Sequence, residues 1–534
     1  MIIKENNLPN DVNFLKELLR GSISANEALQ EENKALKHQL SLLRRSKYGP
    51  RTERFDEDQQ RLSLYEDDPP PNEEQEDEGS REKKSKDAQK RRKKPKQSSR
   101  NPREHNLPEQ EIEIPVDEEK CNCPNCKSTL VKIGEEVTRQ LEYTPAQFFV
   151  KRYVRDKLAC KNCHETIVTA DVPYQPIQKG MPGPGMLAHI LTSKYADHLP
   201  LQRLKGIFKR SGLHLNANTM CDWIKSASAS LQSLFMVMLA NILESQIVST
   251  DSTGIVVRNG NKKGRVKGNI WAYLGDEDHP HVIFDYTASL SRDGPINFLK
   301  KYSGYVQADA HSVYDELFRE NPVFEVGCMA HARRKFKQSL ETERELAAYA
   351  LETFQELYKI ESESRKEGDS RDERLKRRKE EAVPILESFK KWLLKSQLKV
   401  LPKSPMGKAI AYTLKNWKAL NRYTKNGIIS IDNNHAERAL RSIVIGRKNY
   451  MFAGSEAGAK SAVVIYSFVE SCKRNDIDPF EYFRDIFIRM NTHPSNEIEK
   501  LLPSNWKKLI EEQGLATLPE DEIDLPELDN SSPS

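Results

Sequence analysis

Two short cysteine knuckles, Cys123-x-x-Cys126 and Cys160-x-x-Cys163, stand 33 residues apart in a chain with eight cysteines in all. Each knuckle offers two thiolates to one ion, and four thiolates close the tetrahedral site of a structural Zn²⁺. A redox pair needs only one knuckle, and in the cytosol a disulfide is the poorer alternative. Residues 111–175 are therefore predicted to form a zinc ribbon. Its strands would be drawn from the intervening Phe148-Phe149-Val150-Lys151-Arg152-Tyr153-Val154. Cys121 is left as a spare thiol, while Cys221, Cys328 and Cys472 are scattered in the manner of buried small residues.

Upstream of the ribbon, charge is sorted into blocks. Residues 66–78 carry eight acids and no base, and residues 81–103 carry twelve bases and two acids. With few apolar residues to bury, 51–110 reads as a disordered linker. Its basic run Lys90-Arg91-Arg92-Lys93-Lys94 is either a solvated spacer or a phosphate-binding arm. Before it, 1–50 reads as a leucine-zipper-like coiled coil, with one helix over 11–45 that carries a heptad seam. Leu15, Leu29, Leu36 and Leu43 share one frame, and Leu19, Asn26, Asn33 and Leu40 the next. Leucine at d with Asn at a favours a parallel dimeric coiled coil, the alternative being an amphipathic helix packed on its own chain.

The longest near-continuous apolar run, Leu234 to Leu243, is about half of what spans a bilayer. The start Met1-Ile2-Ile3-Lys4-Glu5 lacks a signal-peptide pattern. These features predict a cytoplasmic chain that does not engage a membrane.

Residues 176–240 read as helices. Leu201 to Arg210 is apolar at helical spacing, Ser211-Gly212 breaks it, and Ala217 to Ser226 resumes, which suits a helix-turn-helix or a plain helical hairpin. From 245 the pattern changes to strands. Gln246–Asp251 ends on an acid, Asn269–Leu274 and His281–Tyr286 follow, and Gly304–Asp309 again ends on an acid. Then Val323–Cys328 feeds the basic helix His331-Ala332-Arg333-Arg334-Lys335. Three consecutive strands followed by alternating helices and strands predict a mixed sheet of the ribonuclease-H type over 241–475, with 335–425 a helical insertion. A helix starts at Asp432 or Asn433 with Glu437 in its first turns, Gly446 to Tyr450 follow as a basic loop, and a helix over 459–474 closes the domain. A helical segment over 476–515 and a disordered tail, 516–534, complete the chain. The fold class is thus multidomain α/β.

Two strand-end acids and one helix-borne acid are what two-metal phosphoryl chemistry requires, and carboxylates suit Mg²⁺ or Mn²⁺. Spacing alone leaves the choice open among 79 acids, because any strand-end Asp also reads as a solvated cap.

Taken together, the motifs resemble the transposases of the insertion sequence 66 (IS66) family, bacterial enzymes of the DDE type. The likeness runs from about 10 to 510. It rests on the zipper with Lys47-Tyr48-Gly49-Pro50-Arg51-Thr52-Glu53, the two knuckles, and Ser193 to Leu201. It continues through Gly327 to Phe336 and Pro402-Lys403-Ser404. Its most specific blocks are Asp432-Asn433-Asn434-x-x-Glu437-Arg438-Ala439-Leu440-Arg441 and Gly446-Arg447-Lys448-Asn449-x-x-Phe452-Ala453-Gly454-Ser455, with His493-Pro494 and Leu501-Leu502-Pro503 near the end. Ser252 stands where the family often has an acid, and Lys127 where it usually has Gly; neither removes a ligand.

The resemblance implies a catalytic triad of Asp251, Asp309 and Glu437 holding two Mg²⁺ or Mn²⁺ ions, and structural zinc on Cys123, Cys126, Cys160 and Cys163. It makes Cys328-x-x-His331 a pair beside the active site. It implies double-stranded DNA, both element ends and target, as partner, with Arg438, Arg441, Arg447 and Lys448 placed to hold phosphates. It further implies a homodimer or higher assembly on DNA, with accessory proteins of the same element as possible partners, at the bacterial nucleoid. The competing functions are a nuclease on the same fold that cuts without joining, and an inactive or domesticated DNA-binding relative.

Overall fold

The computed structural model describes residues 148–516, apart from 160–166, 170–174, 178–179, 259–264, 321 and 491. The proposed zipper, linker, first knuckle and C-terminal tail lie outside the described residues, as do Cys160 and Cys163. The chain divides into two compact units, one of them Pro69–Lys151, of which only 148–151 are described and carry neither helix nor strand. Everything below belongs to the other unit.

A short antiparallel hairpin comes first, β1 (Lys157–Ala159) with β2 (Ile167–Thr169), paired from Lys157↔Thr169 to Ala159↔Ile167. Residues 160–166, which link these strands in sequence and contain the second knuckle, lie outside the described residues. The ribbon strands predicted at Phe148–Val154 are not strands; the described ladder runs over 157–159 and 167–169 instead.

Four helices follow: α1 (Pro184–Tyr195), α2 (Leu201–Arg210), α3 (Ala217–Ser230) and α4 (Gln232–Leu243). The predicted break between α2 and α3 is real. Gly212 adopts φ +81°, a left-handed conformation that lacks the usual Cβ penalty only in glycine. On α3, Met220, Trp223, Ile224 and Ala227 bury one face at helical spacing. Cys221 lies on the opposite face and is exposed, contrary to its reading as a buried small residue. No single described helix is long and apolar enough to cross a membrane, although α3 and α4 pass on length and composition as a pair bent by 53°.

The central sheet has five strands in the order β5-β4-β3-β6-β7. β3 (Ile247–Arg258), β4 (Arg265–Leu274) and β5 (Val282–Thr287) form an antiparallel meander, and β6 (Gly304–Gln307) and β7 (Val323–Val326) add in parallel beside β3. α5 (Asp293–Leu299) and α6 (Asp315–Glu320) make the crossovers. Val248, Ile270, Trp271, Tyr273, Ile283 and Phe284 are buried in its centre.

Both sheet edges are covered, which removes the hazard of unpaired strand edges. On β5, Ser471 and Ser467 accept the backbone N–H groups of Val282 at 2.9 Å and Phe284 at 2.8 Å. Beyond β7, Gly327 donates to Ala419 at 3.0 Å, and the Arg422 guanidinium donates to the Glu325 carbonyl.

After α7 (Met329–Lys337) the predicted insertion is wholly helical in its regular elements: α8 (Arg344–Lys366), α9 (Arg371–Arg377), α10 (Val383–Gln397), α11 (Pro405–Lys415) and α12 (Trp417–Leu420). Its core of Phe354, Leu357, Phe389, Leu393 and Ile410 is continuous with Val326, Met329 and Phe336, so it packs on the sheet edge as one body. The chain closes with α13 (Asn434–Tyr450), α14 (Glu456–Arg474), α15 (Pro479–Arg489) and α16 (Pro503–Gln513). The segment 446–450, predicted as a loop, is the last part of α13. Gly446 does not break the helix because it serves a close approach: a Cβ there would strike the hydroxyls of Tyr450 and Tyr466.

Candidate active site

Asp251 was predicted to end its strand, but β3 continues to Arg258. What stops near Asp251 is the parallel neighbour. β6 pairs with β3 only at Ile247↔Tyr305, Val248↔Val306 and Ser249↔Gln307, and continuing that register brings Asp309 level with Asp251. Asp309 itself lies two residues beyond the end of β6.

The two acids share a neighbour in Tyr314. Its hydroxyl lies 3.4 Å from Thr250 Oγ1 and is buried. Burial pushes the Tyr314 pKa up, the Thr250 contact opposes this, and the charges of Asp251 and Asp309 push it further up. A neutral hydroxyl is thus held beside both carboxylates.

Glu437 arrives on the first turn of α13, whose start is bonded to the rest of the site. Asn433 Nδ2 donates to the Thr250 carbonyl at 2.8 Å, and the Asn433 N–H donates to Cys328 Sγ at 3.2 Å. The buried Asp432 accepts the Asn434 N–H at 3.1 Å and the Tyr358 hydroxyl at 2.9 Å. Sequence reasoning treated Asp432 and Asn433 as alternative caps. Asp432 does take a helix N–H, while Asn433 joins the helix to the residue next to Asp251.

α7 approaches Glu437 from the other side. Arg334 donates to Glu437 Oε2 at 3.3 Å, and His331 Nδ1 lies 3.6 Å from Oε1, too far for a hydrogen bond. Burial, then the charges of Arg334 and Lys335, push the His331 pKa down to about 4, so its ring is neutral at pH 7. Burial, with Asp432 next, pushes the Cys328 thiol up. Cys328, His331 and Glu437 offer donor atoms within 4.8 Å of one another, and among the described residues no such triple contains Asp251 or Asp309. The three acids are only partly exposed and supply hard oxygen donors, which fits Mg²⁺ or Mn²⁺. Four thiolates fit Zn²⁺, from residues outside the described ones.

The four cations expected to bind DNA all lie on α13. Arg438, Arg441 and Lys448 are exposed along one stripe, at spacings of three and seven. Arg447 turns inward, donating to Thr253 Oγ1 at 3.3 Å and to the Gly254 carbonyl. Arg334, Tyr314 and Thr250 were not singled out in the sequence. The basic run of α7 carried the only signal, pointing to charge without pointing to Glu437.

Four family models match. One described as the IS66 transposase family covers 179–461, the zinc-finger binding domain of transposase IS66 covers 120–164, and the IS66 C-terminal element covers 467–504. The fourth, described as transposase C of IS166 homeodomain, covers 35–112. Relatives in Sinorhizobium fredii (strain NBRC 101917 / NGR234) include uncharacterized protein y4hP, 31 % identical over 437 residues that make up 77 % of this chain and 78 % of the relative. Uncharacterized protein y4jD is 31 % identical over 417 residues, 75 % of this chain and 81 % of its own. The matched segments include the strands of the central sheet, the α7 motif and the α13 block, and the chain belongs to the IS66 transposase family.

Proposed function

We propose that the protein is a DDE transposase that binds the terminal inverted repeats of its insertion sequence, cleaves there, and joins the freed end to target DNA. The observation that carries this reading is the hydrogen bond from Asn433 to the Thr250 carbonyl. It fastens the helix bearing Glu437 against the strand bearing Asp251, beside the parallel strand that leads to Asp309. On this reading the sheet is a ribonuclease-H-like core, with α8 to α12 inserted between its second and third acids.

Asp251, Asp309 and Glu437 would hold two Mg²⁺ or Mn²⁺ ions, which offset charge on the attacking and leaving oxygens of an in-line displacement. Water attacks the end phosphate and frees a 3′-OH, which then attacks a target phosphate and breaks its bond to the target 3′ oxygen, which leaves as a 3′-OH. Before DNA binds, Arg334 offsets the negative charge of Glu437, and neutral His331 adds no competing charge. Arg438, Arg441 and Lys448 bind phosphates along the exposed stripe of α13, while Arg447 braces it. The zinc ribbon (111–175) on Cys123, Cys126, Cys160 and Cys163 and the α2–α3 pair (within 176–240) recognise the element ends. The zipper (1–50) pairs two protomers, and 51–110 is the linker. The setting is the bacterial cytoplasm, on nucleoid DNA, with accessory proteins of the element as further partners.

A strand-transfer assay with labelled ends tests this. Asp251→Asn, Asp309→Asn and Glu437→Gln should each abolish cleavage and joining at saturating Mg²⁺ and leave end binding intact. Asp285→Asn and Glu325→Gln, at strand acids outside the triad, should cost far less. Near-normal joining by Glu437→Gln would shift the third ligand to another residue, Asp432 first. Cut but unjoined product would indicate a nuclease instead.

A further inference from the structure

Beyond Asp251, β3 runs on for seven residues. β6 has left it after Ser249, and β5 joins β4 only from Asn269 onward. Residues 255–258 and 265–268 therefore extend past both neighbouring strands as a two-stranded ribbon, in register from Ile255↔Gly268 to Arg258↔Arg265. Alternation along each strand, combined with that register, puts Arg258, Arg265 and Lys267 on one face. All three are exposed. From Ser252 to Asn269 the sequence contains five Lys or Arg and no acid. Among the described residues, these three cations have no ion-pair partner.

A bare two-stranded ribbon is marginal in water, but this one is braced. Ile255 and Val257 are buried on its other face. Ala453 bridges to Val257, accepting the Arg258 N–H at 2.9 Å and donating to the Val256 carbonyl at 2.9 Å. Arg447 ties the base of the ribbon to the helix that carries Glu437. Phe452 lies beneath both arginines, with its ring centroid 5.6 Å from the guanidinium of Arg258 and 6.0 Å from that of Arg265. A guanidinium held over an aromatic face is partly ordered in advance, and its N–H edges remain available to an anion.

We propose that this ribbon is a second DNA surface, gripping the phosphate backbone of the duplex that leads away from the catalytic acids. The inference rests on the transposase reading and adds to it a grip separate from end recognition. Charge complementarity selects the occupant. The described ribbon offers three exposed cations and no acid, and the partner that matches them along a duplex is the row of backbone phosphates.

The test uses the full chain and a random-sequence duplex, with affinity measured across a salt series. Each lost phosphate contact lowers the slope of log affinity against log salt by about 0.9. The triple variant Arg258→Gln, Arg265→Gln, Lys267→Gln should lower the slope by about 2–3, with the melting temperature unchanged. Lys376→Gln, Lys391→Gln, Lys395→Gln, three exposed cations on the insertion, serve as the charge control and should change it by less than one such contact. If the triple variant does not fold, Arg265→Gln and Lys267→Gln taken singly should each lower the slope by about 0.9. An unchanged slope, or an equal fall in the control, overturns the proposal. Random-duplex binding requires no cleavage, so the ribbon and the catalytic triad stand or fall separately.

Discussion

His281 is fully buried at the head of β5, with Nε2 3.2 Å from Ser504 Oγ. Burial, then the positive charges of Arg474 and His279, push its pKa down to about 3. An unfolded histidine titrates near 6.5, so between those values the unfolded chain binds a proton that the folded chain refuses. The stability at stake is complete above pH 6.5 and is lost as pH falls through this window, at up to about 1.4 kcal/mol per pH unit. His281→Gln should flatten the acid limb of the stability curve by that slope, as read from denaturant midpoints at pH 7, 5 and 4. An equally steep limb in the variant would assign the proton to another group. Residues of this kind are poorly legible in a sequence. The acids of the candidate site could be nominated from strand ends and motif likeness. Asn433 could be read only as a cap, because a bond to a carbonyl 183 residues away leaves no local pattern.

At the scale of elements, periodicity located nearly every strand and helix of the core but cut β3, β4 and α13 short. β3 reads to Asp251 in the sequence, and the cross-strand partner that keeps it extended to Arg258 lies in β4. Residues 446–450 read as a basic loop but continue α13, and the tyrosines that require a glycine at 446 are invisible in a linear reading. The insertion could be recognised as helical, but its internal lock could not. Arg378 bonds both oxygens of Glu361, at 2.7 and 2.6 Å, and the carbonyls of Tyr423 and Asn426 at 2.9 and 3.1 Å. Both side chains are buried. Arg378→Met should destabilise the protein by about 3–5 kcal/mol, because it strands the carboxylate of Glu361 in the core. Adding Glu361→Leu should restore most of that loss in thermal unfolding. If the double variant is no better than the single, the cost lies in packing and not in the unpaired charge.

For the whole molecule, composition and cysteine spacing set out an order of segments, and the described residues run from helices over 184–243 through a sheet over 247–326 to helices again as far as 513. The N-terminal segments are tested best by chemistry. Purified protein should carry about one Zn²⁺ per chain. Cys160→Ser should lose both the zinc and DNA-end binding, while Cys121→Ser should lose neither. Metal analysis and end-binding titrations check this, and full zinc in Cys160→Ser would dismiss the site. The wide separation of the three acids, 58 and then 128 residues, also has a meaning in time. A ribosome adds roughly 5–20 residues per second, so about 6–26 s pass between the emergence of Asp309 and that of Glu437. Throughout that interval the meander and its parallel partner strands can form, while the bond from Asn433 that brings in the last carboxylate has no donor. In every newly made copy all five strands of the central sheet are therefore made before the third acid exists, and the proposed cutting chemistry is withheld until synthesis of the fold is nearly complete.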